Sequence, residues 1–332
     1  MSSSKVTIKE VASKAGVSIA TVSRYINKSI RLREKNRRKI EKAIEELNYH
    51  PLVYARRLAG GKLNTFGLII PGYEGIFYSF YALKIIREVA VALDEKEIDM
   101  HLNIYRNKDI FNSSLVDGVI MADVISNKDQ LLRLKKEKVP LVVINRKISD
   151  KDISFVAVDN YKGAYEATEF LINHGHKNIV HLAGDLEVQC AKQRVEGFNA
   201  ALEKNGIKKK GNSICQINFS RAKAREELNK LFSSKEKPTA IFCCSDEVAS
   251  EVLNFADENS IKVPQSLSVI GFDDNPNLSY RDLMLTTVRQ PLDQMAREAV
   301  KILRQTIDKK TPPQKVVLEP KLVIRDTVGF LQ

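Results

Sequence analysis

Three side chains near the start of the chain have the chemistry needed to read base edges. Ile19 and Ala20 are adjacent in the stretch "SIATVSR", and Arg24 follows Ala20 at the spacing of one helical turn. Apolar side chains can contact the methyl group of thymine, and an arginine can donate two hydrogen bonds to O6 and N7 of guanine. A short helix that presents these residues could therefore recognise base pairs in a major groove.

The residues before this stretch predict a first helix and a tight turn. Thr7 and Glu10 have the spacing of a capping box, with Thr7 as the N-cap. The helix should run over about 8–15, and Gly16 supplies the backbone freedom for the turn that follows.

Two further helices complete the pattern. Ser18 can cap a helix over about 19–27, and a third helix is expected over about 34–47. Three small helices can pool their apolar faces into a core that two could not form, which predicts a helix-turn-helix whose second helix enters the major groove. The inward positions are Ile8, Val11, Ala12, Ala15, Val22, Ile26, Ile40, Ala43, Ile44 and Leu47.

Positive charge is concentrated in the same part of the chain. Residues 1–64 carry 15 Lys/Arg and 5 Asp/Glu, so they account for +10 of the net charge of +12. A solvated basic tail is one interpretation. Because the charges alternate with periodic apolar residues, we favour a folded basic module, for which a phosphate backbone is the expected partner.

The rest of the chain alternates short apolar runs with amphipathic helices, which predicts βαβ units and parallel sheets covered on both faces. Nine strands are many for one open sheet, so two lobes are expected. The nine runs are "FGLIIP", "MHLNIY", "VDGVIMA", "PLVVINR", "FVAVDN", "NIVHLAG", "SICQIN", "AIFCCSD" and "LSVIGFDD".

Polar residues follow several of these runs. Ligands of open α/β sheets bind beyond the carboxyl ends of the strands. A cleft lined by Asn145, Asp159, Asp185, Asp246 and Asp273 would suit a polar small molecule.

Other classes of protein are disfavoured by what the sequence lacks. It contains no GxGxxG or GxxxxGK[ST] motif and no inferable Ser/His/Asp constellation. The four cysteines lack CxxC spacing, and His174 and His176 have the setting of structural residues in a turn, so no metal and no cofactor is expected. Without an apolar signal core or a run long enough to span a bilayer, a cytoplasmic protein that does not contact membranes is expected.

Several motifs resemble the lactose-repressor (LacI/GalR) family of bacterial transcription regulators. They are "TIKEVASKAGVSIATVSRYIN", "LNYHPLVYARRLAGGKLNTFGLIIP", "LINHGHKNIVHLAG", "QRVEGF", "VIGFDD" and "LTTVRQP", and together they cover nearly the whole chain. The resemblance implies an α/β protein with a three-helix headpiece, a hinge helix and a two-lobed core like that of periplasmic sugar-binding proteins.

The resemblance also implies domain limits. Residues 1–49 would form the headpiece, 50–62 the hinge helix, and 63–332 the effector-binding and dimerisation core. The N-lobe would comprise about 63–160 and 289–319, and the C-lobe about 161–288 and 320–332. The chain would cross between the lobes near residues 159–161, 288–291 and 318–321.

The DNA contacts that we expect lie in the headpiece and in the hinge. The hinge could start at Pro51 and end at Gly60, which leaves too few residues for a helix that is stable alone, so it should form only when two copies pack in the minor groove. There Leu58 matches the family leucine that inserts into a base step. The contact set is Thr7, Ser18, Ile19, Ala20, Thr21, Ser23, Arg24, Asn27, Tyr49, Ala55, Arg56, Arg57 and Leu58.

For the effector, Arg194 matches the arginine of the family's "RxxGF" motif, and Asp273 matches the first aspartate of its "GFDD" motif. In the family this pair hydrogen-bonds effector hydroxyls, and it also serves purine effectors. Asp246 matches a pocket-wall aspartate, although Ser245 replaces the usual Asn. The full candidate effector set is Tyr73, Phe77, Asn145, Asp159, Arg194, Asp246 and Asp273.

The segment "GYEGIFYSFY" departs from the family pattern, and "RNKDIFNSSL" is too short for the usual helix. The aromatic residues Tyr73, Phe77, Tyr78, Phe80 and Tyr81 could stack on a sugar or fill the core in place of the lost helix.

These observations predict a homodimeric repressor that binds a palindromic operator and associates with the nucleoid. It would be controlled by a sugar, a sugar phosphate or a nucleobase. One alternative is a catabolite-control-type regulator whose main allosteric partner is a protein. A carbohydrate-binding transport protein is a more distant alternative.

Overall fold

A computed structural model describes residues 6–26, 32–49, 62–72, 79–105, 110–122, 128–209, 211–278, 283–309 and 311–331. The first two ranges contain three short helices, α1 (Ile8–Ala15), α2 (Ile19–Ile26) and α3 (Glu34–Glu46). We call this part the headpiece. Its apolar core is built by the positions that helical spacing predicted, joined by the ring of Tyr49.

The remaining described residues build two six-stranded sheets. The first sheet has the strand order β11-β5-β4-β3-β1-β2, and all of its pairings are parallel. Its strands are β1 (Thr65–Pro71), β2 (Asp99–Tyr105), β3 (Gly118–Ala122), β4 (Leu141–Ile144), β5 (Ser154–Val158) and β11 (Lys315–Leu318).

The second sheet has the order β12-β10-β9-β8-β6-β7, and only its β10–β12 pair is antiparallel. Its strands are β6 (Ile179–Ala183), β7 (Ile214–Gln216), β8 (Ala240–Cys243), β9 (Ser268–Asp273), β10 (Thr286–Arg289) and β12 (Lys321–Val323). The chain therefore passes between the sheets after β5, after β10 and after β11.

Helices cover both faces of each sheet. The first sheet packs with α4 (Phe80–Asp94) and α10 (Leu292–Lys309) on one face and with α5 (Lys128–Lys136) on the other. The second packs with α8 (Arg221–Ser233) and α9 (Asp246–Glu258) on one face and with α6 (Asn160–Asn173) and α7 (Gln189–Lys204) on the other. We call each sheet with its helices the first lobe and the second lobe.

The short segment "RNKDIFNSSL" contributes an aromatic ring to the core of the first lobe. Ser113–Leu115 form a single 3₁₀ turn, and Phe111 is buried next to it. A Cβ atom added to Gly67 would lie 2.8 Å from Cζ of Phe111, so the ring rests directly on β1. Phe111 therefore covers part of the face on which α5 packs.

The predicted boundaries need small corrections. The first helix has the predicted limits, and α3 ends at Glu46, one residue earlier than expected; α2 is described up to Ile26, and its predicted last residue, Asn27, lies outside the described residues. All nine predicted strands form, and β10, β11 and β12 were missed. No helix in the described part of the chain is both long enough and apolar enough to cross a membrane. Within the same residues, no group of His, Cys, Asp or Glu could hold a metal ion.

Candidate nucleic-acid interface and ligand site

Local hydrogen bonds fix the turn between α1 and α2. The backbone N–H of Thr7 donates to the Glu10 carboxylate at 2.7 Å, and this bond lowers the pKa of Glu10. Gly16 ends α1 with a φ of 63°, in the left-handed region that glycine adopts without strain. The Ser18 hydroxyl then accepts a hydrogen bond from the Thr21 N–H at 3.2 Å and caps α2.

The turn leaves one face of α2 open to solvent. Ile19 is 45% exposed, and Ala20 and Arg24 are also exposed, whereas Val22 is completely buried against α1 and α3. An exposed isoleucine next to an exposed arginine on a basic module gives the surface needed for contacts to thymine methyls and guanine.

The other predicted DNA contacts have different environments. Thr7, Ser18 and Thr21 are engaged in helix capping, and Ser23 is half-buried. Tyr49 is only 7% exposed and packs in the headpiece core, and its role as a DNA contact stays a prediction. Asn27 and the hinge residues Ala55, Arg56, Arg57 and Leu58 lie outside the described residues.

Arg194 lies on α7, which packs on one face of the second sheet. It is 3% exposed, its Nε donates to Oδ1 of Asn160 at 3.0 Å, and a terminal nitrogen donates to the carbonyl of Cys244. Its guanidinium carbon lies 3.6 Å from the ring centroid of Phe272. Gly197 permits this placement, because a Cβ there would lie 2.2 Å from the Tyr161 carbonyl of α6.

Asp273 lies at the carboxyl end of β9, adjacent to Arg194 in space. Its carboxylate accepts a hydrogen bond from the side chain of Gln290, which follows the neighbouring strand β10. Burial raises the pKa of Asp273 well above its ordinary value, and the charge of Glu247 adds to this effect while that of Arg194 opposes it. The structure thus brings together the arginine and the aspartate that the sequence predicted.

Asp246 is buried at the first position of α9. It is 1% exposed, and its two oxygens accept hydrogen bonds from the Thr287 hydroxyl at 2.6 Å and from the Asn275 N–H at 2.7 Å. Burial raises its pKa to about 6. These bonds tie the start of α9 to β10 and to the segment after β9, and the place of Asp246 in the wall of a ligand pocket stays a prediction.

The remaining predicted effector residues divide into two groups. Asp159 caps α6 by accepting a hydrogen bond from the Lys162 N–H at 3.1 Å, and Asn145 is buried after β4 with a φ of 60°. Tyr73 and Phe77, together with Tyr78, lie outside the described residues. Phe80 and Tyr81 pack against the core of the first lobe, so these two aromatics fill the core.

Two residues at the ends of second-sheet strands were missed. Gln290 is 6% exposed, and its Oε1 has no hydrogen-bond partner, which leaves a buried acceptor beside Asp273. Phe219 follows β7 with a φ of 59°, is 37% exposed and rests on Gly184. A bulky residue with a left-handed backbone is strained, and such strain is often found at binding sites. The sequence pattern gives no sign of this conformation.

Two family sequence models match the chain. The model described as bacterial regulatory proteins, lacI family, matches residues 7–52, and that of a periplasmic binding protein-like domain matches residues 168–328. The HTH-type transcriptional regulator DegA of Bacillus subtilis is 34% identical over 98% of this chain and 99% of its own length. The chain belongs to the LacI family. As a LacI-family protein it is a DNA-binding transcription regulator and not an enzyme.

Solved structures of LacI-family regulators share the fold. A lac repressor dimer bound to operator and the anti-inducer ONPF matches with a TM-score of 0.84 at 23% identity, over 98% of this chain and 100% of that one. The transcriptional regulator CelR in complex with cellobiose matches with a TM-score of 0.72 at 27% identity, over 97% and 100%.

Proposed function

We propose that this LacI-family regulator is a homodimeric repressor that reads the two half-sites of a palindromic operator with α2. The observation that carries the proposal is the exposed face of α2, where Ile19, Ala20 and Arg24 lie together on a headpiece with a large excess of positive charge. A protein with this function works on DNA in the nucleoid.

An apolar surface on the first lobe supports the dimer. Leu83 and Val91 lie two turns apart on α4, and Leu102 lies on the edge strand β2; they are 45%, 40% and 37% exposed. Exposed apolar side chains on a helix beside a free sheet edge are typical of a surface that another protein covers. We assign this surface to the second copy of the chain.

The ligand site supports control by a small polar molecule bound between the lobes. Asp273 and the free acceptor of Gln290 can accept hydrogen bonds from hydroxyl groups, and Arg194 places a positive charge beside them. The exposed ring of Phe219 offers an apolar face on which a sugar ring can stack. A sugar is therefore the class that we favour, in line with the cellobiose complex of CelR, and a sugar phosphate or nucleobase is second.

Two measurements test the binding of operator DNA and the binding of a small ligand separately. Selection of bound sequences from random DNA should return a palindromic consensus, and a consensus without twofold symmetry would contradict the dimeric repressor. Thermal denaturation with neutral sugars, sugar phosphates and nucleosides should show a rise in melting temperature with one class. If no class stabilises the protein, the small-ligand proposal fails, and a regulator controlled by a protein partner becomes the better account.

A further inference from the structure

We propose that the side chains of Gln189 and Glu247 form an interlobe latch that holds the two lobes at one relative orientation. Each belongs to a helix of the second lobe and binds the main chain of the first lobe. Neither was singled out by its type or spacing in the sequence.

Gln189 pairs with both polar groups of one residue across the cleft. Its Oε1 accepts a hydrogen bond from the Lys147 N–H at 2.7 Å, and its Nε2 donates to the Lys147 carbonyl at 3.1 Å. A glutamine amide offers one acceptor and one donor group at the spacing of a peptide unit, so it satisfies this backbone as a neighbouring strand would. The lysine side chain takes no part in the pairing.

Glu247 makes the second contact. Its Oε1 accepts a hydrogen bond at 3.0 Å from the N–H of Phe80, the first residue of α4. The first N–H groups of a helix have no acceptor within the helix, and a carboxylate is favoured there by the helix dipole. Glu247 thus supplies from the second lobe a cap that α4 needs in the first.

Both ends of each contact are anchored in a packed lobe. Ile148 packs on the first-lobe core, and Asp150 pairs with Lys135 of α5 at 2.5 Å, which fixes the segment that contains Lys147. Phe80 also packs on that lobe. On the other side, Cys190 and Val248, the residues that follow Gln189 and Glu247, are buried in the second lobe. The two lobes therefore cannot move apart at these points without breaking the hydrogen bonds.

The two contacts hold different elements of each lobe. Lys147 follows β4 and Phe80 begins α4 in the first lobe, whereas Gln189 begins α7 and Glu247 lies in α9 in the second. Two such points leave free only a rotation about the line that joins them. A ligand that turns the lobes about any other axis must break at least one contact; this consequence rests on the proposed function, whereas the latch itself does not.

Hydrogen exchange at two backbone amides tests the latch. In the unliganded full-length protein, Gln189→Ala removes the acceptor of the Lys147 amide directly. If the contacts act as one latch, it also speeds exchange of the distant Phe80 amide by about fivefold or more, the factor that corresponds to one lost hydrogen bond. Glu247→Ala should likewise speed exchange at Lys147. Effects confined to the amide that lost its partner would overturn the proposal.

Two control variants separate the latch from general loosening. Lys147→Ala keeps the backbone groups that Gln189 binds, and Glu258→Ala removes an acid from the far end of α9, where it pairs with Arg225. Both should leave the two amides protected as in the wild type. If Lys147→Ala speeds hydrogen exchange of the Phe80 amide as strongly as Gln189→Ala does, the proposal is wrong. The experiment contains neither DNA nor ligand, so its failure leaves the proposed function standing.

Discussion

At the scale of single residues, Arg24 is the side chain on which base reading depends most directly. It is exposed on α2, one turn after Ala20. Removing a bidentate contact to guanine weakens binding by about 1–3 kcal/mol and relaxes specificity at one base pair. We therefore expect Arg24→Ala to select a consensus that has lost one position in each half-site. An unchanged consensus from random DNA would show that another residue reads that base.

Asp246 gives the second residue-scale prediction, because burial raises its pKa from 3.8 to about 6. A folded-state pKa above the unfolded value means that protonation favours the folded state. The contribution of Asp246 to the free energy of unfolding is therefore fully present below about pH 4, and it is lost as the pH rises through 6. Urea denaturation between pH 4 and pH 7 should show that Asp246→Asn is less stable than the wild type by an amount that grows toward low pH. A difference that is constant with pH would contradict the assignment.

At the scale of elements, the hinge segment should act only on DNA. Leu58, which lies outside the described residues, is predicted to insert from both subunits into a central base step and bend the operator. Leu58→Ala should weaken operator binding by at least about 2 kcal/mol, a typical loss for a dominant apolar contact at an interface, and leave the dimer intact. Gel mobility with circularly permuted DNA would measure the bend; wild-type affinity and an unchanged bend would refute the wedge.

The sequence predicted elements well where local chemistry defines them. The first helix has its expected limits because Thr7, Glu10 and Gly16 act within a few residues of one another. The short strands β10, β11 and β12 were missed, because only the pairing with distant strands makes three or four residues such as "KLV" into a strand.

The same distinction applies to the candidate site. The sequence identified Asp246 as a polar residue after the end of β8, but not that the hydroxyl of Thr287, 41 positions further along the chain, would donate a hydrogen bond to its carboxylate. The strained backbone of Phe219 and the cross-lobe pairing of Gln189 likewise depend on contacts that spacing does not reveal. Residue type and position at a strand end therefore identify candidates, and only the tertiary contacts show how each candidate side chain is held.

At the scale of the whole molecule, the account requires two copies of the chain. If α4 and the edge strand β2 form the interface, a charge placed in the apolar surface should prevent association. Val91→Asp, on a residue that is 40% exposed, should sediment as a single 37.5 kDa chain while the wild type sediments as a dimer. Lys136→Asp on the opposite face of the first sheet is a matched control that should remain dimeric. A dimeric Val91→Asp would place the interface elsewhere.

The central claim is that the first 64 residues carry the binding of DNA and the core does not. Titration of a selected operator with the full chain at several salt concentrations tests it directly, with the fragment that begins at Asn64 measured in parallel. For the full chain, log affinity should fall linearly with log salt, with a slope of about 0.9 for each phosphate neutralised. The fragment should keep the circular dichroism of a folded α/β protein and show no specific binding. A folded fragment that still binds the operator with wild-type specificity would contradict the account.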